Sequence, residues 1–284
     1  MNYVLFNKLS NNGEGEKWAD KLLETLNGKV GEGYEKTNLV GLDVKELLGK
    51  VTTDDLVYLV GGDGTINRFA NDTCGMEIPC PVLFISGGTG NDFMKDIVEN
   101  YPSEGYTDIR EFIKNLPTIK VKDITCHFLN GIGYGIDGMC CEVADQMKAA
   151  GKQKIDYTGL TIKLLLFKYK CPTATVTIDD GKEKTFQKVW LASTMNGRYY
   201  GGGMKVAPEQ DRLGDSLTCV IWHGSGKIAT LAAFPKIFEG KHVEKTKMVT
   251  VMKAKRVKVK FDLPTAMQID GDTVLGVKEY EAWK

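Results

Sequence analysis

The feature that most constrains this 284-residue chain is a short apolar run that ends in glycines. Residues 56–60 (Leu-Val-Tyr-Leu-Val) are apolar, and Gly61, Gly62, Asp63 and Gly64 follow them directly. A continuous apolar run bounded by turn residues predicts a strand covered on both faces, as in a parallel sheet. A helix is expected after the glycines, from Thr65 to about residue 71.

The glycines after this strand suit a phosphate group. Gly61 and Gly62 permit positive φ and let the backbone approach a ligand closely, because no Cβ stands in the way. Backbone amides just before a helix N-terminus bind phosphate well. Asp63 would repel phosphate unless a cation lay between them, so a nucleotide in this loop implies Mg²⁺. A plain strand–turn–helix connection capped by Thr65 remains the alternative.

A second segment of the same design follows along the chain. Residues 82–86 predict another buried strand, and residues 87–93 (Gly-Gly-Thr-Gly-Asn-Asp-Phe) form another glycine-rich turn before a helix. In a parallel sheet both turns would lie at the carboxyl ends of strands, where open α/β sheets bind ligands.

Together, Gly-Gly-Asp-Gly-Thr-x-Asn at 61–67 and Gly-Thr-Gly-Asn-Asp-Phe at 88–93 resemble the catalytic domain of the diacylglycerol kinase family, in its soluble bacterial lipid kinase form. The first motif is shared with NAD kinases and phosphofructokinases, whereas the second is more specific to the lipid kinases. The resemblance implies an enzyme that uses ATP and Mg²⁺ to phosphorylate a hydroxyl of diacylglycerol or a related lipid.

The resemblance also implies a nucleotide site in the first domain. Asp63 would belong to the ATP–metal network, and Asp92 would lie near that network and the acceptor hydroxyl. Asn91 and Asp92 are equally typical of a helix N-terminus, so a capping role stays open for both. The residues expected to contact the nucleotide or brace its loop are Asn7, Gly61, Gly62, Gly64, Thr65, Asn67, Gly88, Thr89 and Asn91.

A third segment that resembles the family lies in the second half of the chain and is followed by acidic residues. Residues 196–208 carry the family's asparagine, double glycine and proline, and Asp211 and Asp215 come shortly after. The resemblance makes these aspartates candidate Mg²⁺ ligands through hard oxygen atoms. A solvated acidic turn is the alternative for both.

Asp270, Gly271 and Asp272 resemble the family's Asp-Gly-Glu signature. The resemblance implies that Asp270 is the general base for the acceptor hydroxyl and that Asp272 contributes to metal binding. Phosphoryl transfer needs positioning, cations across the phosphates and an acid that orients the hydroxyl. By themselves, Asp270 and Gly271 indicate an ordinary hairpin turn.

The spacing of apolar residues changes near residue 118. Strands alternate with helices before it, which predicts a doubly wound nucleotide-binding α/β domain over residues 1–117. Period-two stretches after it predict an antiparallel, sandwich-like β domain with helical insertions over residues 118–284. Helices are expected near 139–150, 156–170 and 227–238, and strands include 185–190 and 257–261. Whether the C-terminal segment returns to the first domain stays open.

Charge and cysteine content narrow the function classes. Lys and Arg together number 37, as do Asp and Glu, so the charge balance does not indicate a nucleic-acid partner. Seven cysteines without CxxC spacing indicate a reducing cytoplasm.

No apolar run is long enough to span a membrane, so a lipid substrate would be reached by peripheral membrane contact. Residues 162–170 mix apolar and basic side chains as interfacial segments do, with a core helix as the alternative. An exposed sheet edge would allow an oligomer, but no specific feature indicates one.

Two other functions stay open. The first is a kinase of a soluble acceptor, most similar to NAD kinase, which shares the first glycine motif. The second is a nucleotide-binding protein without catalysis. It stays open because the chain departs from the family pattern at Lys8, Ser86, Gly214-Asp215 and Asp272.

Overall fold

The computed structural model describes residues 1–87, 91–99, 101, 106–152 and 154–284, without the side chains of residues 11 and 12. The chain divides into two compact units, Met1–Leu116 and Pro117–Lys284. Among the described residues, no helix combines the length and the apolar character needed to cross a membrane.

The first unit is an α/β domain. Its strands are β1 Asn2–Phe6, β2 Lys29–Val30, β3 Gly33–Asn38, β4 Leu56–Gly61, β5 Val82–Ser86 and β6 Thr107–Asp108. Its helices are α1 Ser10–Gly13, α2 Gly15–Thr25, α3 Val44–Leu48, α4 Asp63–Asp72, α5 Asp92–Ile97 and α6 Arg110–Ile113.

The six strands form one sheet in the order β2-β3-β1-β4-β5-β6. The pairings from β2 to β5 are parallel, and β6 runs antiparallel at the edge. Residues 57–61 of β4 are all buried, as expected for a central strand with both faces covered. On α2, Ala19, Leu22 and Leu23 pack against β1 and β4. The α/β prediction for this part of the chain is confirmed.

The second unit is built mainly from antiparallel strands. These are β7 Thr118–Val121, β8 Ile124–His127, β9 Gly131–Gly135, β10 Ala174–Ile178, β11 Lys184–Phe186, β12 Leu191–Met195, β13 Leu217–Trp222, β14 Val249–Ala254, β15 Arg256–Ile269 and β16 Asp272–Trp283. Its α-helices are α7 Ile136–Ala149, α8 Tyr157–Phe167 and α9 Lys227–Ala233, and short 3-10 helices cover Phe234–Ile237 and Lys241–Glu244.

The strands of this unit form one ten-stranded sheet, with the main path β14-β13-β12-β9-β15-β16-β7-β8. Beside this path, β10 pairs with β15, and β11 pairs with β10. One face carries the larger core, which includes Tyr134, Phe261 and Tyr280. A second core on the other face contains Leu165 of α8 and Trp222 of β13. The antiparallel sandwich-like prediction is confirmed.

Several predicted element bounds were wrong, for local physical reasons. The predicted helix over 227–238 becomes 3-10 after Ala233, where Pro235 removes an amide donor. The predicted strand over 185–190 ends at Phe186, and Lys188 has a φ of 53°, which is incompatible with an extended strand. The predicted strand over 257–261 continues to Ile269. The predicted helix over 156–170 begins only after Asp156, whose side chain caps it, and ends at Phe167.

Candidate active site

The carboxyl ends of β1 and β4 form a switch point in the sheet of the first unit. These strands are neighbours, but the chain leaves β1 towards β3 on one side and leaves β4 towards β5 on the other. Open α/β sheets bind ligands at such a point. Asn7 follows β1 and Gly62 follows β4, so the fold places both beside it.

Thr65 lies on the first turn of α4, next to this switch point. It is buried, and its Oγ1 lies 3.1 Å from the Oγ of Ser10. Asn7 and Thr65 line the same small depression. The Oδ1 of Asn7 accepts a hydrogen bond from the amide of Leu9 at 2.9 Å. The structure therefore brings two of the expected nucleotide contacts together.

The glycines after β4 differ in detail from the expectation. Gly62 has a φ of −117°, and neither it nor Gly61 uses the positive φ that glycine permits. Gly61 is required for another reason, because a Cβ there would lie 2.3 Å from Oγ1 of Thr65. At Gly64 a Cβ would meet no atom within 4 Å. The helix also starts at Asp63, earlier than predicted.

Asp63 links the two glycine motifs. Its Oδ2 accepts a hydrogen bond from the amide of Asp92 at 2.8 Å, and its Oδ1 accepts one from the amide of Phe93 at 3.3 Å. Asp63 therefore caps α5 from a neighbouring helix, in the way that an N-cap side chain does. The side chain of Asn91 makes no such cap and instead accepts a hydrogen bond from Ser86. Asn91 thus occupies the N-cap position, as that alternative expected, but its side chain makes no capping hydrogen bond.

The remaining predicted residues of this unit are placed as follows. Asn67 Oδ1 accepts a hydrogen bond from the side chain of Asn71, one turn later on α4, at 3.0 Å. Asp92 is buried at the start of α5. Gly88 and Thr89 lie outside the described residues.

In the second unit, Asp270 forms a tight turn between β15 and β16. Asp270 and Gly271 have φ values of 47° and 97°, the positive signs of a type I′ hairpin turn. The amide of Gly271 donates to Oε1 of the buried Gln268 at 2.7 Å. The hairpin expected from the sequence is present, and it fixes the position of Asp270.

Three consecutive backbone amides hold the Asp270 carboxylate. Oδ2 accepts from Leu129 at 2.5 Å, and Oδ1 accepts from Asn130 at 2.8 Å and from Gly131 at 3.0 Å. Burial raises the pKa of the Asp270 carboxyl, and the amide donors and the nearby Arg212 guanidinium oppose that shift. Three of its roughly four acceptor positions are therefore occupied, which leaves room for about one further donor.

The three predicted metal ligands lie on the surface of this unit. Asp211 accepts from the amide of Leu213 at 3.0 Å, and Asp215 forms an ion pair with Lys255 at 2.7 Å. The Lys255 ammonium holds the pKa of Asp215 below its ordinary value. Asp272 is exposed at the start of β16. Across the described part of the chain, no three His, Cys, Asp or Glu side chains are grouped to hold a metal, so these assignments stay predictions.

Each half of the chain matches a protein-family model. Residues 2–123 match the diacylglycerol kinase catalytic domain. Residues 130–278 match the YegS C-terminal NAD kinase beta sandwich-like domain. The chain belongs to the diacylglycerol kinase family of bacterial lipid kinases. It is a lipid kinase by family membership, which confirms the resemblance seen in its motifs and argues against the NAD kinase alternative.

Individual relatives of this lipid kinase agree with the family assignment. A diacylglycerol kinase of Mycobacterium tuberculosis (strain H37Rv) is 26% identical over 267 residues, which cover 90% of this chain and 84% of that protein. The solved structure of a diacylglycerol kinase from Bacillus anthracis (strain Sterne) gives a TM-score of 0.61 at 18% identity, covering 100% of this chain and 93% of that one. Another solved structure from Bacillus anthracis (strain Sterne) gives a TM-score of 0.69 at 20% identity, covering 100% of this chain and 92% of that one. These structures support the fold.

Sequence reasoning missed the residues that hold Asp270. Asn130-Gly131 is a common turn pair, and nothing in the sequence relates it to an acid so much later in the chain. The sequence also gives no sign that Arg212 is part of the site. Arg212 lies between the acids Asp211 and Asp215, and this polar segment is typical of a solvated turn. Its burial is the signal that only the structure provides.

Proposed function

We propose that this lipid kinase transfers the γ-phosphoryl group of ATP to a hydroxyl of diacylglycerol or a related lipid. The observation that carries the proposal is the Asp270 carboxylate, held by three amides with about one acceptor position left for a hydroxyl donor. A carboxylate fixed in this way can orient an acceptor hydroxyl and take its proton as the oxygen attacks.

The first unit fits a nucleotide. The N-terminus of the ten-residue helix α4 lies at the switch point, where its first amides and helix dipole favour phosphate. The open space around Gly64 allows a phosphate to approach the backbone. Asn7, Gly62, Gly64 and Thr65 are the described residues proposed to hold the nucleotide, which supplies the phosphoryl group when bound.

Mg²⁺ is proposed only as the ion that accompanies the nucleotide. The described residues do not form a metal centre of their own, and both oxygens of Asp63 already accept amides. Mg²⁺ in kinases is usually held by one or two carboxylates together with substrate phosphates and water. Asp63 is the acid proposed for that network, with Asp92 beside it.

We further propose that the enzyme reaches its lipid through peripheral contact with an anionic bilayer at α8 and α9. Phe167 is 77% exposed and Ile228 is 84% exposed. Lys227 Nζ donates to the carbonyl of Leu166 at 2.7 Å, so the two helix ends adjoin. Exposed apolar side chains next to Lys163 and Lys168 suit an anionic membrane surface.

Sedimentation with phosphatidylglycerol vesicles tests this contact. Phe167→Ser with Ile228→Ser is expected to reduce the bound fraction, whereas Val30→Ser, at an exposed apolar residue of the first unit, is expected to leave it unchanged. Equal binding by all three proteins would refute the proposed surface.

The phosphoryl-transfer proposal is tested with labelled ATP, magnesium and diacylglycerol in mixed micelles, with NAD as a parallel acceptor. Labelled phosphatidic acid is the expected product. Asp270→Asn is expected to lower kcat about 10²- to 10⁴-fold, the usual contribution of a general base. Asp180→Asn, in the exposed turn before β11, is the matched control. Full activity of a folded Asp270→Asn variant, or label on NAD alone, would refute the proposal.

A further inference from the structure

Arg212 is a buried cation in the second unit, with only 6% of its surface exposed. Its Nη1 donates to the carbonyl of Leu129 at 2.5 Å, and its Nη2 donates to Oδ1 of Asn130 at 2.7 Å. Both acceptors belong to the segment whose amides hold Asp270. Arg212 therefore contacts the opposite side of the backbone that fixes the candidate general base.

One peptide unit lies between the two charges. The carbonyl of Leu129 faces the Arg212 guanidinium, and the amide of Asn130, which belongs to the same peptide, faces the Asp270 carboxylate. This peptide dipole is aligned between a cation and an anion. Charged partners at both ends polarise the peptide and strengthen each hydrogen bond.

Two further residues hold Arg212 and its carbonyl partner. Asn196 Nδ2 donates to the carbonyl of Leu129 at 2.9 Å. Lys284 Nζ donates to Oδ1 of Asn196 at 2.9 Å and to the carbonyl of Arg212 at 2.5 Å. Buried polar networks of this kind restrict the motion of the groups they connect.

We propose that Arg212 is a positioning residue, which holds Asp270 in its reactive orientation through the Leu129–Asn130 peptide. The effect on catalysis rests on the proposed phosphoryl transfer, whereas the effect on the backbone does not. Without the guanidinium, the carbonyl of Leu129 loses its charged donor and keeps that of Asn196, so the segment 129–131 is held less firmly against the carboxylate.

Kinetics test the catalytic part. Arg212→Gln is expected to lower kcat about tenfold to a hundredfold, as for other losses of buried charged hydrogen bonds, with the KM for ATP within about twofold of wild type. Arg212→Lys keeps the charge but not the two-pronged geometry, so it should recover part of the lost rate. Arg256→Gln, which removes an exposed guanidinium from the same unit, should leave kcat unchanged. An unchanged kcat in folded Arg212→Gln would overturn the proposal.

Hydrogen exchange tests the structural part without any kinase activity. The amides of Asn130 and Gly131 are expected to exchange about tenfold faster in Arg212→Gln than in wild type, because their bonds to Asp270 open more often. If Arg212→Gln does not fold, Asn130→Ala removes the acceptor of one guanidinium nitrogen and should give a smaller change of the same sign in the Gly131 amide. Unchanged exchange would overturn the proposal.

The two experiments also separate this inference from the proposed function. If wild-type protein phosphorylated no lipid but Arg212→Gln still increased exchange at residues 130 and 131, the proposed reaction would be wrong and the positioning role would stand. If wild type were active and Arg212→Gln changed neither kcat nor exchange, the positioning role would be wrong.

Discussion

The Asp63 carboxylate accepts a hydrogen bond from the amide of Asp92 at 2.8 Å, so the two acids expected at the nucleotide site are bound to each other through the backbone. Asp63 begins α4 and Asp92 begins α5. One side chain therefore sets the position of two neighbouring helix N-termini. A structural role and a catalytic role for Asp63 can be separated by mutation.

Asp63→Asn keeps one oxygen for the Asp92 amide, whereas Asp63→Ala removes the cap. Asp63→Ala is expected to lower the free energy of unfolding by about 0.5–2 kcal/mol, the usual effect of losing a cap, and Asp63→Asn by less. Both should lose phosphoryl transfer if the negative charge acts in the nucleotide–metal network. Urea unfolding and the labelled-phosphate assay measure the two effects. Wild-type stability of Asp63→Ala would contradict the capping role.

Gly61 and Gly64 differ in the space around them, and alanine should therefore have different effects. Gly61→Ala would place a Cβ 2.3 Å from Oγ1 of Thr65, and the overlap is expected to cost about 1–3 kcal/mol of stability. Gly64→Ala meets no atom and adds helix propensity, so stability should stay equal or rise by up to about 1 kcal/mol. Gly64→Ala should still weaken ATP binding, measured by calorimetry, because the proposed phosphate site adjoins that backbone. Equal stability of the two variants would contradict the packing at Gly61.

His242 is expected to destabilise the protein in acid. It is fully buried, its Nε2 donates to the carbonyl of Val206 at 3.1 Å, and burial lowers its pKa to about 4. The unfolded chain binds this proton below about pH 6.5 and the folded chain only below about 4. Stability should therefore fall as pH drops from about 6.5 to 4, by roughly 3 kcal/mol in total.

Thermal unfolding of wild type and His242→Gln across this pH range checks the prediction. The variant should show a smaller loss of stability between pH 6.5 and 4. Parallel pH curves for the two proteins would mean that His242 does not titrate as described.

Asp137 is expected to have the opposite effect on the pH dependence of stability, because it stabilises the fold at low pH. Asp137 lies partly buried at the start of α7, and its carboxylate accepts a hydrogen bond from the hydroxyl of Tyr200. Desolvation raises the pKa of this carboxyl to about 7. The folded protein thus keeps a proton that the unfolded chain loses near pH 4. The stabilisation is complete below about pH 4 and is lost as pH rises to about 7, by roughly 4 kcal/mol in total.

Asp137→Asn cannot ionise and should be more stable than wild type at pH 8, with a smaller difference at pH 5. Chemical unfolding at the two pH values measures this difference. A variant that is equally destabilised at both values would show that the carboxyl is not protonated in the fold.

The sequence predicted the parts of the fold that depend on local patterns. The apolar run before Gly61 predicted β4. Asp43 and Glu46 have the spacing of a capping box, and Asp43 caps α3 through the amide of Glu46 at 3.0 Å. Family motifs selected Asp63 and Asp270 as site residues. The sequence could not predict what Asp63 binds, because the amides it caps begin a helix 29 residues later.

The role of Arg212 beside the candidate base could not be predicted from the sequence for the same reason. Its neighbours Asp211 and Leu213 are exposed, and local polarity suggested an exposed arginine. Burial of its guanidinium depends on the carbonyl of Leu129, 83 residues earlier. Such long-range polar partners have no periodic signal in the sequence, so they become visible only once the strands are paired.

The hairpin that carries Asp270 also bears on how the protein acquires activity as it folds. The amides that hold this carboxylate lie 139 to 141 residues before it in the chain. Contacts between such distant segments form slowly, because loop closure precedes any gain from the contact. The candidate base is therefore not in place until β15 has been synthesised and has paired with β9, so the proposed transfer requires most of the second unit to have folded.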